Sequence, residues 1–241
     1  MNQEQEKLYN ELISKYNFNT LQRFAIRLGL KNNINIDWYA KPEYNHNQMK
    51  EIRFGLENNV DVSIYTKTEF NEWQMKQILD GLIRRLDVSW YAKPEFDYNQ
   101  MAEIRRGLEK RLDVSLYAKP EYSGFKMSLI KLCLESNLDI FPYLEFSTDE
   151  LNVIIHGLKQ GLDVSIYANS EFDNWQMEEI RKGLENDLDV FVYANSEFSV
   201  FQMSQIRIGL EQGVNIYTYL NPSIDWREMQ RTRLELESNN G

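Results

Sequence analysis

A 26-residue pattern that recurs along nearly the whole chain is what most limits the folds open to it. In the unit FDYNQMAEIRRGLEKRLDVSLYAKPE, residues 96 to 121, a leading aromatic sets the register. Equivalent anchors fall at Phe18, Tyr44, Phe70, Phe96, Tyr122, Phe146, Phe172, Phe198 and Ile224, all 26 apart except for a 24-residue interval between Tyr122 and Phe146. A unit this short cannot enclose a core, so each must bury its apolar side against its neighbours. The pattern predicts an all-α solenoid of about eight helix–short helix repeats in a single elongated domain. Residues 1–43 read as an N-terminal cap with a degenerate first unit, 44–223 as the array, and 224–241 as a capping helix. The missing two residues, with Pro142 nearby, predict a change of superhelical angle near 142 to 146.

Comparing units within the chain shows what each step of the repeat demands, counting the anchor as step zero. Step one is Asn45, Asn71, Asp97, Ser123, Ser147, Asp173, Ser199 and Asp225, and step four is Gln or Glu in every one of these units except at Lys126. A short acceptor followed three residues later by Gln or Glu is a capping box, and the anchor with the Met or Leu at step five makes a hydrophobic staple. Met101, Ile104 and Leu108, like Met177, Ile180 and Leu184, then form one apolar stripe. Gly29, Gly55, Gly81, Gly107, Gly157, Gly183 and Gly209 recur near the helix end. A helical glycine costs roughly 1 kcal/mol against alanine, and the expected compensation is close approach of a neighbouring helix backbone. The helix should stop near Asn59, Asn137, Gly161 and Gly213, which tolerate a left-handed cap, with Arg85, Arg111 and Asp187 less comfortable at that step.

The second half of each unit has two readings. Asp61, Asp87, Asp113, Asp139, Asp163 and Asp189, with Asn35 and Asn215, suit the cap of a short second helix ending before the proline of the KPE units. Alternation of Leu112, Val114 and Leu116 with polar residues suits instead a short parallel strand, giving an α/β horseshoe. Adjacent Tyr117 and Ala118 break that alternation and favour the helix. The tyrosines at 39, 65, 91, 117, 143, 167, 193 and 219 are expected to form a stacked core row.

The chain carries a net charge of −10, a single cysteine and no apolar run of membrane-spanning length. With a polar N-terminal MNQEQEKL, this composition predicts an intracellular, cytoplasmic protein. Cys133 occupies the glycine column, where small size accounts for it. His46 and His156 stand alone in different units, so neither a metal cluster nor a His-assisted nucleophile is visible, and no phosphate-binding glycine loop occurs. No cofactor and no catalysis are expected. Arg27, Arg53, Arg105, Lys131, Arg181, Arg207 and Arg233 recur at step nine, and Glu43, Glu69, Glu95, Glu121, Glu145, Glu171 and Glu197 just before the anchors. The simplest account is an Arg–carboxylate ladder fixing the stacking register.

Recognition should reside where the columns vary, on helix steps facing away from the stripe. Trp73, Phe125, Trp175 and Phe201 at step three, and Phe54, Leu132 and Ile208 at step ten, are the candidate contacts. Phe141, Phe191 and Tyr217 replace the serine of other units and make a second candidate set. Asp61, Asp87, Asp113, Asp163 and Asp189, with Glu69, Glu95, Glu121, Glu171 and Glu197, form acidic rows suited to a basic or nucleic-acid-binding protein surface. That acidity opposes direct binding of nucleic acid.

The runs QMAEIRRGLEKRLDVSLYAKPEF and QMEEIRKGLENDLDVFVYANSEF resemble a short helical repeat of sparsely described proteins from Gram-positive gut bacteria and their mobile elements. The resemblance implies a helical stack of prokaryotic or phage origin and carries over no catalytic residue. The function expected first is a non-catalytic protein–protein scaffold. An inhibitor of a host defence complex that mimics nucleic acid with its acidic rows comes second, and an RNA-binding repeat protein third.

Overall fold

The computed structural model describes residues 1 to 240 and is all-helical, with no strand among the described residues. The α/β horseshoe is therefore excluded for them. The chain divides into two compact units, one spanning Met1–Lys131 and one beginning at Leu132. The first holds α1 (Gln3–Lys15), α2 (Thr20–Lys31), α3 (His46–Glu57), α4 (Glu72–Ile83) and α5 (Tyr98–Glu109), each packed on the next. Helix α6 (Gly124–Glu135) contains the division. The second holds α7 (Thr148–Gln160), α8 (Asn174–Glu185), α9 (Val200–Glu211) and α10 (Trp226–Asn240), again packed in succession. Both are solenoid-like stacks of one repeated plan.

Local chemistry accounts for most of the starts and stops. Capping boxes close at Asn45, Asn71, Asp97, Ser147, Asp173 and Ser199, and also at Asn2 and Asn19. At the other end the expected stop residue is left-handed in each regular unit, including Arg85, Arg111 and Asp187 with φ of 60°, 61° and 54°. The next residue's N–H returns to the glycine carbonyl, as from Leu86 to Gly81 at 2.9 Å, closing a Schellman motif. The chain then makes a single 3-10 turn, such as Val88–Trp90, whose Asp87 carboxylate accepts from the Ser89 N–H. The second helix is thus real but only three residues long.

The glycine column has a different cause from the one expected. A Cβ added at Gly81 would lie 1.9 Å from the hydroxyl oxygen of Tyr91 and 2.9 Å from Val88 Cγ1, with no backbone of a neighbouring helix among its nearest atoms. The same holds at Gly29, Gly55, Gly107, Gly157, Gly183 and Gly209, each facing the tyrosine ten residues on. The tyrosine of each turn folds back over its own helix, and glycine leaves room for the phenol. Tyr65, Tyr91 and Tyr193 complete the fit by donating to the carbonyls of Glu51, Gln77 and Glu179 at 3.1, 3.2 and 3.1 Å. All of the column is fully buried except Tyr143, which is half-buried.

The step-four glutamine also does more than cap. While its Oε1 accepts from the cap N–H, its Nε2 donates to the next anchor's carbonyl: Gln22 to Tyr44, Gln48 to Phe70, Gln74 to Phe96 and Gln100 to Tyr122, each at 2.7 Å. Gln176 and Gln202 reach Phe198 and Ile224 in the same way at 2.9 and 2.8 Å. A glutamate cannot make this second bond, which explains the preference for Gln.

The arginine ladder exists with other partners than the pre-anchor glutamates, which stand exposed. Arg53, Arg105 and Arg233 pair with Glu57, Glu109 and Glu237 four residues on. Across the stack, Arg105, Arg207 and Arg233 send Nε–H to Gln77, Glu179 and Gln205 at 3.0, 2.8 and 3.1 Å. Step seven, not the residue before the anchor, supplies the rungs.

Candidate functional site

With Met, Ile and Tyr turned into the stack, steps two, three, six and ten are what remains for solvent or a partner, apart from the buried Ala102 at step six of α5. Trp73, Phe125, Trp175, Phe201, Phe54 and Leu132 are all exposed, whereas Ile208 is half-buried. Trp73 leans on Tyr98 at 6.3 Å between ring centres, and Phe201 stacks on Trp226 at 5.3 Å. A step-three ring therefore borders the step-two residue of the following helix. These pairs remain open on their outer sides, as the exposure of both step-three rings requires.

Two grooves arise from that geometry. Between α5 and α6, Asp97, Asn99 and Glu103 face Ser123, Phe125 and Ser128 around about 480 Å³. Between α7 and α8, about 500 Å³ is bordered by Asp149, His156, Trp175, Glu178, Glu179 and Lys182. Trp175 is 65% exposed, so its ring face is available. The Arg181 guanidinium, bonded to Glu178 at 2.9 Å through both Nε and Nη2, holds that carboxyl below its usual range despite burial. Glu179 is buried and spans Lys182 and Arg207 at 2.9 and 2.8 Å. Asp149, in the exposed first turn of α7, is the rim carboxylate that no cation among the described residues pairs, since Glu178 and Glu179 are held by Arg181, Lys182 and Arg207.

The second candidate set lies on the 3-10 turns. Phe191 and Tyr217 are 75% and 74% exposed, and Phe141 is exposed as well. They replace serines that, elsewhere, bond the aspartate cap: Ser63, Ser89, Ser115 and Ser165 donate both N–H and hydroxyl to Asp61, Asp87, Asp113 and Asp163. Those hydroxyl bonds hold Asp61 below the ordinary carboxylate range. With Phe191 in the serine position, Asp189 makes no side-chain cap bond. The whole acidic set, Asp61, Asp87, Asp113, Asp163, Asp189, Glu69, Glu95, Glu121, Glu171 and Glu197, is exposed.

Sequence reasoning missed the buried step-seven carboxylates Glu103 and Glu179, and missed Tyr98 and Phe24, both exposed. Step seven sits beside the arginine of the next unit, a relation that spacing along one helix does not reveal. Among the described residues no group of three metal-ligating side chains occurs, and no helix is long and apolar enough to cross a membrane. Burial raises the Cys133 thiol to about 11. No family model, curated protein or solved structure matches the chain.

Proposed function

We propose that the chain is a non-catalytic scaffold that binds a basic segment of another protein along its helix faces, and that it belongs to the mobile-element repeat type its units resemble. The α7–α8 groove carries the reading: a lysine or arginine laid there meets the face of Trp175 and the Asp149 carboxylate together. A cation over an indole is worth about 0.5–2 kcal/mol, and a carboxylate partner adds a charge-assisted bond. The net charge of −10 would steer such a partner in and repel phosphate. The α5–α6 groove, lined by Phe125, Asp97 and Glu103, offers the same chemistry.

The test is a fluorescence titration with an Arg/Lys-rich peptide at low and high salt. Binding should weaken as salt rises, and Trp175→Ala should cost about tenfold in affinity. A peptide that ignores both salt and Trp175 would refute the reading. Exposure of the two acidic rows supports a second one, inhibition of a nucleic-acid-binding complex by occupying its basic surface. It predicts that the protein competes with DNA or RNA for such a surface and that Trp175→Ala leaves competition intact.

A further inference from the structure

We infer that the groove between α2 and α3 is a binding site for a small apolar carboxylic acid. In three later units the Nε–H of the step-nine arginine, that of Arg105, Arg207 or Arg233, is received by a side chain at step seven of the preceding unit, Gln77, Glu179 or Gln205, whereas Arg181, with Val153 at that step, turns its Nε–H to Glu178 of its own helix. The first unit has Ala25 there. Arg53 stands where Arg105 stands one unit pair later, and its Nη1 is taken by Glu57. Its Nε is buried without a partner, in a side chain that is 11% exposed. A buried N–H in that state costs roughly 1–3 kcal/mol, which an incoming acceptor would recover.

The space left by the missing glutamine is a groove of about 260 Å³ lined by Leu21, Phe24, Ala25 and Leu28 from α2 and His46, Lys50 and Arg53 from α3. No carboxylate lines it, although the chain is strongly acidic and the α7–α8 groove has three. Phe24, 66% exposed, and Leu21 present apolar walls that nothing in the stack covers. Apolar walls with a few convergent polar groups are the ordinary make-up of a small-molecule site. Lys50 and Arg53 already pair with Glu51 and Glu57, so it is the unmatched Arg53 Nε–H that calls for an anion, and the walls call for a hydrocarbon body. The volume, just below the usual range of roughly 300–1,000 Å³, suits a small acid. Its carboxylate would accept from Arg53 Nε after a small shift of the side chains that bury this atom, with the hydrocarbon against Phe24, Leu21 and Leu28.

Calorimetric titration of the full chain with 4-phenylbutyrate and with the matching amide tests this. The acid should bind saturably and the amide at least about tenfold more weakly, the difference of one charge-assisted bond. Ala25→Gln, which gives Arg53 the acceptor Gln77 gives Arg105, should abolish binding while raising the thermal midpoint. Phe24→Ala, at a 66% exposed position where little packing is lost, should weaken binding several-fold and decides the matter if the glutamine variant does not fold. Equal binding of acid and amide, wild-type affinity in Ala25→Gln or Phe24→Ala, or no saturation on the order of 10 mM would overturn the assignment.

Discussion

The unit that starts at Phe70 and the one that starts at Tyr122 share the same backbone plan but differ at three coupled positions. In the first, Gln74 bonds the Phe96 carbonyl, Gly81 makes a notch, and Tyr91 fills it. In the second, Lys126 replaces the glutamine, Cys133 replaces the glycine, and Tyr143 is half-buried beside Phe146, 6.4 Å between ring centres. The 3-10 turn slips one residue, to Phe141–Tyr143, while Ile140 keeps the fully buried place that Val88 and Val114 hold elsewhere. A side chain on the helix and a phenol against it are alternatives. The repeat therefore rests on a Gly–Tyr lock and a Gln stitch, and the irregular unit is what remains without them.

The largest effect should come with alkali. Burial raises Tyr39, Tyr65, Tyr91, Tyr167 and Tyr193 well above the ordinary phenol and Tyr219 to about 12. The folded state holds these protons more tightly than the unfolded chain, so their contribution is intact below about pH 10 and falls as pH rises toward 12. Each locked tyrosine adds roughly 1.4 kcal/mol per pH unit to that fall. The tyrosinate absorbance of the locked tyrosines should therefore rise in one cooperative step together with loss of helical circular dichroism. A gradual rise with helix retained would mean the locks open singly, as a half-buried Tyr143 already does.

Next in size is Gly81→Ala. Its Cβ would stand 1.9 Å from Tyr91 Oη, and overpacking of this kind costs about 1–3 kcal/mol. Tyr91→Phe alone loses the bond to Gln77, about 1 kcal/mol, but leaves its Cζ 3.2 Å from the added carbon. In urea denaturation the double variant should cost less than the two single costs together, by about 1 kcal/mol. Additive costs would break the lock as an explanation.

How much of this the sequence discloses depends on the kind of contact. Caps, staples and the left-handed stop at Arg85 or Asp187 are local, so the repeat columns state them directly. The lock joins residues ten apart through a reversal of the chain, and the stitch and ladder join residues 22 and 28 apart. Periodicity says that these columns recur, not which of them touch. Because every regular unit keeps both glycine and tyrosine, no variation betrays the pairing, and Tyr143 is still tyrosine where the lock is open. On the outer face, steps three and ten are set by the helical period alone, which is why Trp73 and Trp175 emerge exposed. Ile208 is half-buried despite the same step, and Phe24 sits in a degenerate unit whose variable steps read as mere capping.

The stitch gives a smaller, signed pair of effects. Gln74→Ala strands the Asn71 N–H and the Phe96 carbonyl and should cost about 2 kcal/mol. Helix α7 offers the converse, because Glu150 closes its capping box but has no hydrogen to donate onward. Glu150→Gln should raise stability by about 1 kcal/mol by reaching the carbonyl 22 residues ahead, as Gln176 does in α8. Thermal midpoints moving in opposite directions would sharpen the contrast; a destabilised Glu150→Gln would show that the stitch depends on more than the donor.

Smallest of all should be the change at Tyr143 in the irregular unit. If Tyr143 lies outside the lock, Tyr143→Phe removes no bond of the kind Tyr91 makes, and stability should stay within about 0.5 kcal/mol of wild type. Cys133→Gly reopens a notch that no phenol is positioned to fill, so it should cost roughly the 1 kcal/mol of helix propensity plus the loss of a buried side chain. A gain in stability on Cys133→Gly, abolished by Tyr143→Phe, would mean that the lock can snap shut once the thiol is gone, and that the sulfur alone holds this turn out of register.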